Sequence, residues 1–272
     1  MEFEVKSFTW KRNFNYIKTS FYILWKRTTE YKLNTYVALF DQFWYYLTQV
    51  LFFYVLFSNF SSIINWKLDD YILFGLIVDL IYVFTGLFIW NGIFQNILVR
   101  GDLNNHLIRP INPVISYHFS SLSVGALVFI ITNILIFPFL LFFFKIKLYN
   151  LFLAFLILIL LLLVFTLSYF FVRSINFFSF GLSSVFTLIF ESGNYNIAKK
   201  YPFGFFEKLD YNFFLLALPL FFTSSLLIPI LKSYEIIHFE LQIIFLFSLI
   251  FFFGIGGYLM WYYGLKNYEA FG

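Results

Sequence analysis

LYNLFLAFLILILLLLVFTLSYFFV, residues 148–172, runs for 25 positions without Asp, Glu, Lys or Arg. At 1.5 Å per residue it makes a helix of about 38 Å, against a hydrocarbon layer of about 30 Å. No water is available in that layer, so a spanning backbone must satisfy its own hydrogen bonds, which a helix does within one segment. Four further stretches have the same character. Val37–Phe57 carries one charge, Asp41, and Tyr71–Ile97 carries one, Asp79. Val114–Phe144 carries none and contains Pro138, where a tilt or kink is expected; Leu241–Tyr263 carries none and holds Gly254, Gly256 and Gly257.

The composition agrees with these stretches. Of 272 residues, 61% are hydrophobic and 12% charged, about half the charged share of a soluble globular protein. Phe 45, Tyr 20 and Trp 6 also exclude a disordered chain, which is poor in such residues. Cysteine is absent, which removes disulfides, thiol nucleophiles and thiolate metal sites.

Charge placement orients the chain. The formal net charge is +4, and the excess lies in residues 1–36, where Lys6, Lys11, Arg12, Lys18, Lys26, Arg27 and Lys32 face Glu2, Glu4 and Glu30. Positive residues stay on the cytoplasmic side, so both this segment and, after six crossings, the C-terminus are expected there. A basic segment rich in Phe and Tyr that leads into a span is not a nucleic-acid site. No short apolar core with a small-residue cleavage site follows the first charges, so no cleavable signal peptide is expected. Phe14, Ile17, Phe21, Leu24 and Tyr31 share one helical face, with Lys11, Lys18 and Lys26 opposite. This suits a helix lying in the cytoplasmic interface; the alternative is a continuation of the first span.

The expected fold is an all-α integral membrane protein forming one transmembrane domain over 1–272. Its parts are a cytoplasmic N-terminus with the interfacial helix (1–36) and six spans at 37–57, 71–97, 114–144, 148–172, 175–190 and 241–263. Residues 100–113 form a cytoplasmic loop. Pro219 and Pro229 interrupt the apolar run at 211–231, so 201–231 is expected as an outer re-entrant hairpin, with a full span as the alternative.

Little chemistry is visible. No phosphate-binding Gly-rich loop with Lys occurs. His106, His118 and His238 stand far apart, and no nucleophile elbow is present. No catalytic, cofactor or metal residues are therefore assigned. Asp79 is the one ionisable residue well inside a clear span. Two readings fit it: a lining or gating residue facing the bundle, or a carboxylate near the outer interface that pairs or snorkels. The loop from Arg100 to Pro113 is more distinctive. Gly101 and Pro110 punctuate it, and Leu103, Leu107 and Ile108 are expected to form an apolar edge flanked by Arg109, suited to docking another protein.

Gly101-Asp102-Leu103 followed by Arg109-Pro110-Ile111-Asn112-Pro113 resembles the cytoplasmic loop of type-2 ABC exporter permeases, in a six-span subfamily of uncharacterised transport components. Tyr201-Pro202, Pro219 and Pro229 are similar to that family's segment before the last span. Gly264-Leu265-Lys266-Asn267-Tyr268-Glu269-Ala270-Phe271-Gly272 is similar to its ending. Asn104-Asn105-His106 is more polar than usual there.

The resemblance implies the transmembrane subunit of an ATP-driven exporter in a prokaryotic cell membrane, with no enzymatic activity of its own. Phe14–Lys32 would be the connecting helix, and Gly101, Asp102, Leu103, His106, Leu107, Ile108 and Arg109 would belong to the coupling helix. The hairpin would cap the outer side. Two ATPase subunits, carrying ATP and Mg, and a second permease, identical or related, would be its partners. The aromatic, uncharged spans suit an apolar or amphipathic cargo. A lipid-modifying enzyme would need converging polar residues, and a secondary carrier would need repeats and paired ionisable residues; neither pattern is found.

Overall fold

The computed structural model describes residues 10–59, 66–89, 94–120, 122–143, 146–187, 197, 201–202, 219–236 and 238–268. These form helices and turns, with no strand among the described residues. In chain order the helices are α1 (Trp10–Glu30), α2 (Lys32–Asn59), α3 (Leu68–Ile89), α4 (Phe94–Val99), α5 (Asn104–Leu107), α6 (Pro113–Phe119), α7 (Val124–Phe143), α8 (Leu148–Ile175) and α9 (Phe180–Phe186). They are followed by α10 (Thr223–Lys232), whose first turn is a π-helix, and α11 (Phe239–Lys266).

Two described helices, α8 and α11, are long and apolar enough to cross a membrane; a third crossing is added if α6 and α7, bent by 79°, are taken together. α8 and α11 pack closely, and the glycine run explains how. A Cβ on Gly257 would lie 2.8 Å from Phe170 Cδ1, and one on Gly256 would lie 3.0 Å from Phe171 Cε2. Small residues at such a crossing let two backbones approach where hydrophobicity gives no drive for association in lipid. Leu161, Val164 and Val172 of α8 and Leu246 and Phe253 of α11 form one core with Leu73, Val78 and Ile81 of α3 and Phe222 and Leu226 around α10.

Two helix bounds differ from the sequence expectation. Helix continues across Pro138, and the chain bends by 79° between α6 and α7, in the run 119–124. Serine side chains account for this: Ser120 Oγ donates to Tyr117 O (2.9 Å) and Ser123 Oγ accepts from Ala126 N (3.3 Å), replacing helical bonds by local ones. The helix expected to end at 172 continues to Ile175, and Asn176–Ser179 breaks it before α9, which Ser179 caps by accepting from Leu182 N. The span expected from 175 thus begins as helix only at Phe180, and residues 188–190 lie outside the described residues.

Much of the expected hairpin, residues 203–218, also lies outside them. Its described end, α10, is about 15 Å long by helical rise, half the hydrocarbon thickness. Pro229 offers no N–H to the turn before it, and the π-turn Thr223–Leu227 ends two residues ahead of it. α10 ends on Ser233 in the left-handed conformation (φ 59°).

There Lys232 Nζ meets the fully buried Asp70 (3.5 Å to Oδ1) and the more exposed Asp69 (3.9 Å) at the head of α3. Asp70 also accepts from Lys67 N (2.9 Å) and from Tyr234 Oη (3.2 Å). Removing one partner of such a pair strands a buried charge, at about 3–5 kcal/mol. Lys232→Met is therefore expected to lower the thermal unfolding midpoint in detergent clearly, and Lys232→Met with Asp70→Leu to recover part of the loss. Equal midpoints for wild type and Lys232→Met would show that the pair does not hold α10 to α3.

Candidate functional site

The loop between α4 and α6 is built on a tight reversal. Gly101 takes φ 74°, a region open to glycine, and accepts from Asn104 N at 3.0 Å to start α5. Asn112 then caps α6 by accepting from Val114 N at 2.9 Å, with Pro113 in the first turn.

This winding separates the three residues expected to form one apolar edge. Leu103 is 0% exposed and packs with Phe94, Leu98, Tyr117 and Trp261, and Leu107 lies half-buried against that cluster. Ile108 alone projects outward, at 80% exposed, beside the exposed Asp102 and Arg109. The reason is the reversal at Gly101: it turns Leu103 into the bundle while α5 carries Ile108 to its outer end.

A polar network fastens the loop to α1. Asn13 Oδ1 accepts from Asn112 N (3.1 Å), and Tyr16 Oη donates to Ser116 O (3.3 Å). Arg109 Nη1 donates to Tyr16 Oη (3.2 Å), and His106 Nδ1 lies 3.0 Å from Ser116 Oγ. Burial, then the nearby Arg109, holds the His106 pKa below its usual value, with Asp102 opposing. The C-terminal end joins the same cluster: Tyr268 Oη donates to Leu98 O (3.4 Å), and a Cβ on Gly264 would lie 2.5 Å from Phe177. Asn13, Tyr16 and Ser116 carried no sequence signal of this role, because each is an ordinary polar residue until the chain folds.

Asp79 occupies a second place, away from the loop. α2 is polar toward its neighbours and apolar outward: Gln42 is its only buried described side chain, while Phe40, Phe43, Trp44, Leu51 and Tyr54 are exposed. Asp79, 1% exposed, accepts from Tyr45 Oη at 3.2 Å. Tyr46 Oη donates to Asn133 Oδ1, and Gln42 Nε2 donates to Phe129 O (3.3 Å). Tyr45, Tyr46 and Phe129 surround this seam with ring contacts. Asp79 therefore faces the helices rather than an outer surface.

The hairpin residues are not drawn into either place. Tyr201 is exposed, Pro202 and Pro219 are buried, and Pro229 is half-buried within α10. Among the described residues no group of His, Asp and Glu could hold a metal ion.

Residues 43–272 match the protein family described as ABC-2 family transporter protein. No curated protein and no solved structure matches the chain.

Two outcomes are expected. His106 binds a proton less readily folded than unfolded, so its contribution to stability is kept above pH of about 6.5 and lost as pH falls through that value. The unfolding midpoint of wild type should fall toward that of His106→Asn between pH 7.5 and 5.5; a constant gap would refute this. Asp79→Asn should keep stability within about 1 kcal/mol, whereas Asp79→Ala, which leaves the Tyr45 hydroxyl facing a void, should lose about 1–3 kcal/mol by the same measurement.

Proposed function

The chain belongs to the ABC-2 transporter family, a membrane-embedded permease component of an ABC transporter, and from that premise we propose that it couples nucleotide hydrolysis on a separate ATPase subunit to export. The loop carries the reading. It presents Ile108 and Arg109 outward while Leu103 is anchored beside Trp261 of α11 and Arg109 is tied to Tyr16 of α1. A segment so held acts as a lever: a partner that seats on Ile108 moves α1, α6 and α11 with it.

In this reading residues 101–109 are the coupling element and α1 is the interfacial helix beside the ATPase. The long helices and the segment around α9 supply six spans with both termini in the cytoplasm of a prokaryotic cell. The chain between Tyr201 and Leu231 is a re-entrant hairpin; the shortness of α10 supports this. ATP and Mg are held by two copies of the ATPase, and a second permease, identical or related, completes the assembly. The cargo is apolar or amphipathic, in keeping with spans that carry little charge.

Purification from native cells in mild detergent, with mass spectrometry of what accompanies the chain, tests this directly. A nucleotide-binding ATPase in near-equal amount is expected. Ile108→Asp, which alters an exposed side chain without touching the buried Leu103 cluster, should remove that ATPase while leaving membrane insertion and unfolding midpoint unchanged. Retained ATPase in the variant would overturn the role of the loop; a chain that emerges alone even after cross-linking would overturn the coupling itself.

A further inference from the structure

A cavity of about 130 Å³ lies between α1 and the corner where α6 turns into α7. That is well below the roughly 300–1,000 Å³ of a pocket that takes a whole small molecule, and on the scale of one polar headgroup. Thr19 and Ser20 line it from one turn of α1 and Arg27 from two turns further on, with Ile23 and Leu24 between them. Phe119, Ser120 and Leu122 line it from the α6–α7 corner. α1 is basic, with Lys11, Arg12, Lys18, Lys26 and Arg27. Its one acid, Glu30, pairs with Lys26 at 3.4 Å, and among the described residues Arg27 has no carboxylate partner.

We propose that this cavity binds the phosphate headgroup of an anionic lipid. A guanidinium fork matches two phosphate oxygens at once, and the Thr19, Ser20 and Ser120 hydroxyls lining the same cavity are further donors. The apolar lining, Ile23, Leu24, Phe119 and Leu122, is continuous with the first turns of α7 and receives the upper part of an acyl chain. A lipid fits better than a soluble phosphate for that reason, since a free ion would leave Ile23, Phe119 and Leu122 against water. The inference rests on α1 being the interfacial helix of a membrane permease. An occupant here would brace α1 against the α6–α7 corner, and so brace the helix to which Arg109 and Asn112 are bound.

The test uses the full-length chain, with whatever subunits accompany it, in detergent micelles doped with phosphatidylglycerol or with phosphatidylcholine of the same acyl chains. Retained lipid is read by native mass spectrometry and the unfolding midpoint is read in parallel. One phosphatidylglycerol per chain should be retained, with a raised midpoint, and Arg27→Gln should weaken retention about tenfold, the scale of one charge-assisted hydrogen bond. Ser20→Leu, which fills the cavity without removing charge, should do the same, and Lys18→Gln, outside the cavity, should not. Equal retention by wild type and both cavity variants, or equal retention of phosphatidylcholine, would overturn the proposal. An equal rise in midpoint with sodium phosphate alone would also overturn it, in favour of a free anion site. Loss of the ATPase from wild-type preparations would count against the permease reading, without bearing on lipid retention.

Discussion

Every buried polar group in a chain this apolar needs a partner within the protein, and the architecture follows from where those partners are found. Apolar packing against lipid or against other helices is nearly equivalent in energy, so it selects arrangements weakly. Buried polar groups are different: an unmet one costs several kcal/mol in hydrocarbon. Asp70 with Lys232 and Tyr234 joins α3 to the end of α10, Asp79 with Tyr45 joins α3 to α2, and Tyr46 with Asn133 joins α2 to α7. Each pair connects residues far apart in sequence. Together they fix register and neighbour where hydrophobicity alone would not.

The same constraint explains what was legible in the sequence. The uncharged run at 148–172 could hardly be anything but a long helix; the glycines Gly256 and Gly257 were visible, but that they form the close crossing with α8 emerges only from the fold, where a missing Cβ is itself the contact. The loop 100–113 stood out by its turn residues. The polar seam did not. In α2, Gln42, Tyr45 and Gln49 recur at spacings of three and four, but aromatic residues surround the helix and Tyr serves either side, so its inward face carried no contrast. Asp69-Asp70 at the head of α3 gave no sequence signal either; Asp70 is buried against Lys232, 162 positions later, which no local pattern reveals. The bend beyond Phe119 carried no signal of its own, because Ser120 and Ser123 are ordinary polar residues until their side chains take up local bonds.

The loop shows how a short apolar trio can be divided between two jobs. Spacing alone put Leu103, Leu107 and Ile108 on a common edge, yet the left-handed turn at Gly101 sends Leu103 inward and leaves Ile108 as the outward contact. Inward, Leu103 touches a cluster that also contains Trp261 of α11 and borders Tyr268, so the same few residues that shape the loop also reach the last long helix. Ser116 gathers His106, Arg109 and Tyr16 around one turn of α6.

Stiffness is the property that such an arrangement supplies. A four-residue helix in isolation cannot persist in water, since its nucleation cost is never recovered by so few hydrogen bonds. α5 persists because its ends are held from outside itself: by the Leu103 cluster before it and by the Asn13–Asn112 and Tyr16–Arg109 bonds after it. Two kinds of anchor, one apolar and one polar, then divide the response to a push on Ile108. The apolar anchor resists displacement because Leu103 is fully buried among Phe94, Leu98, Tyr117 and Trp261. The polar anchors resist rotation because each bond has a preferred angle. A displacement at the loop is accordingly passed to α1, α6 and α11 as rigid motion instead of being absorbed where it arises, which is the property the proposed coupling role asks of this loop.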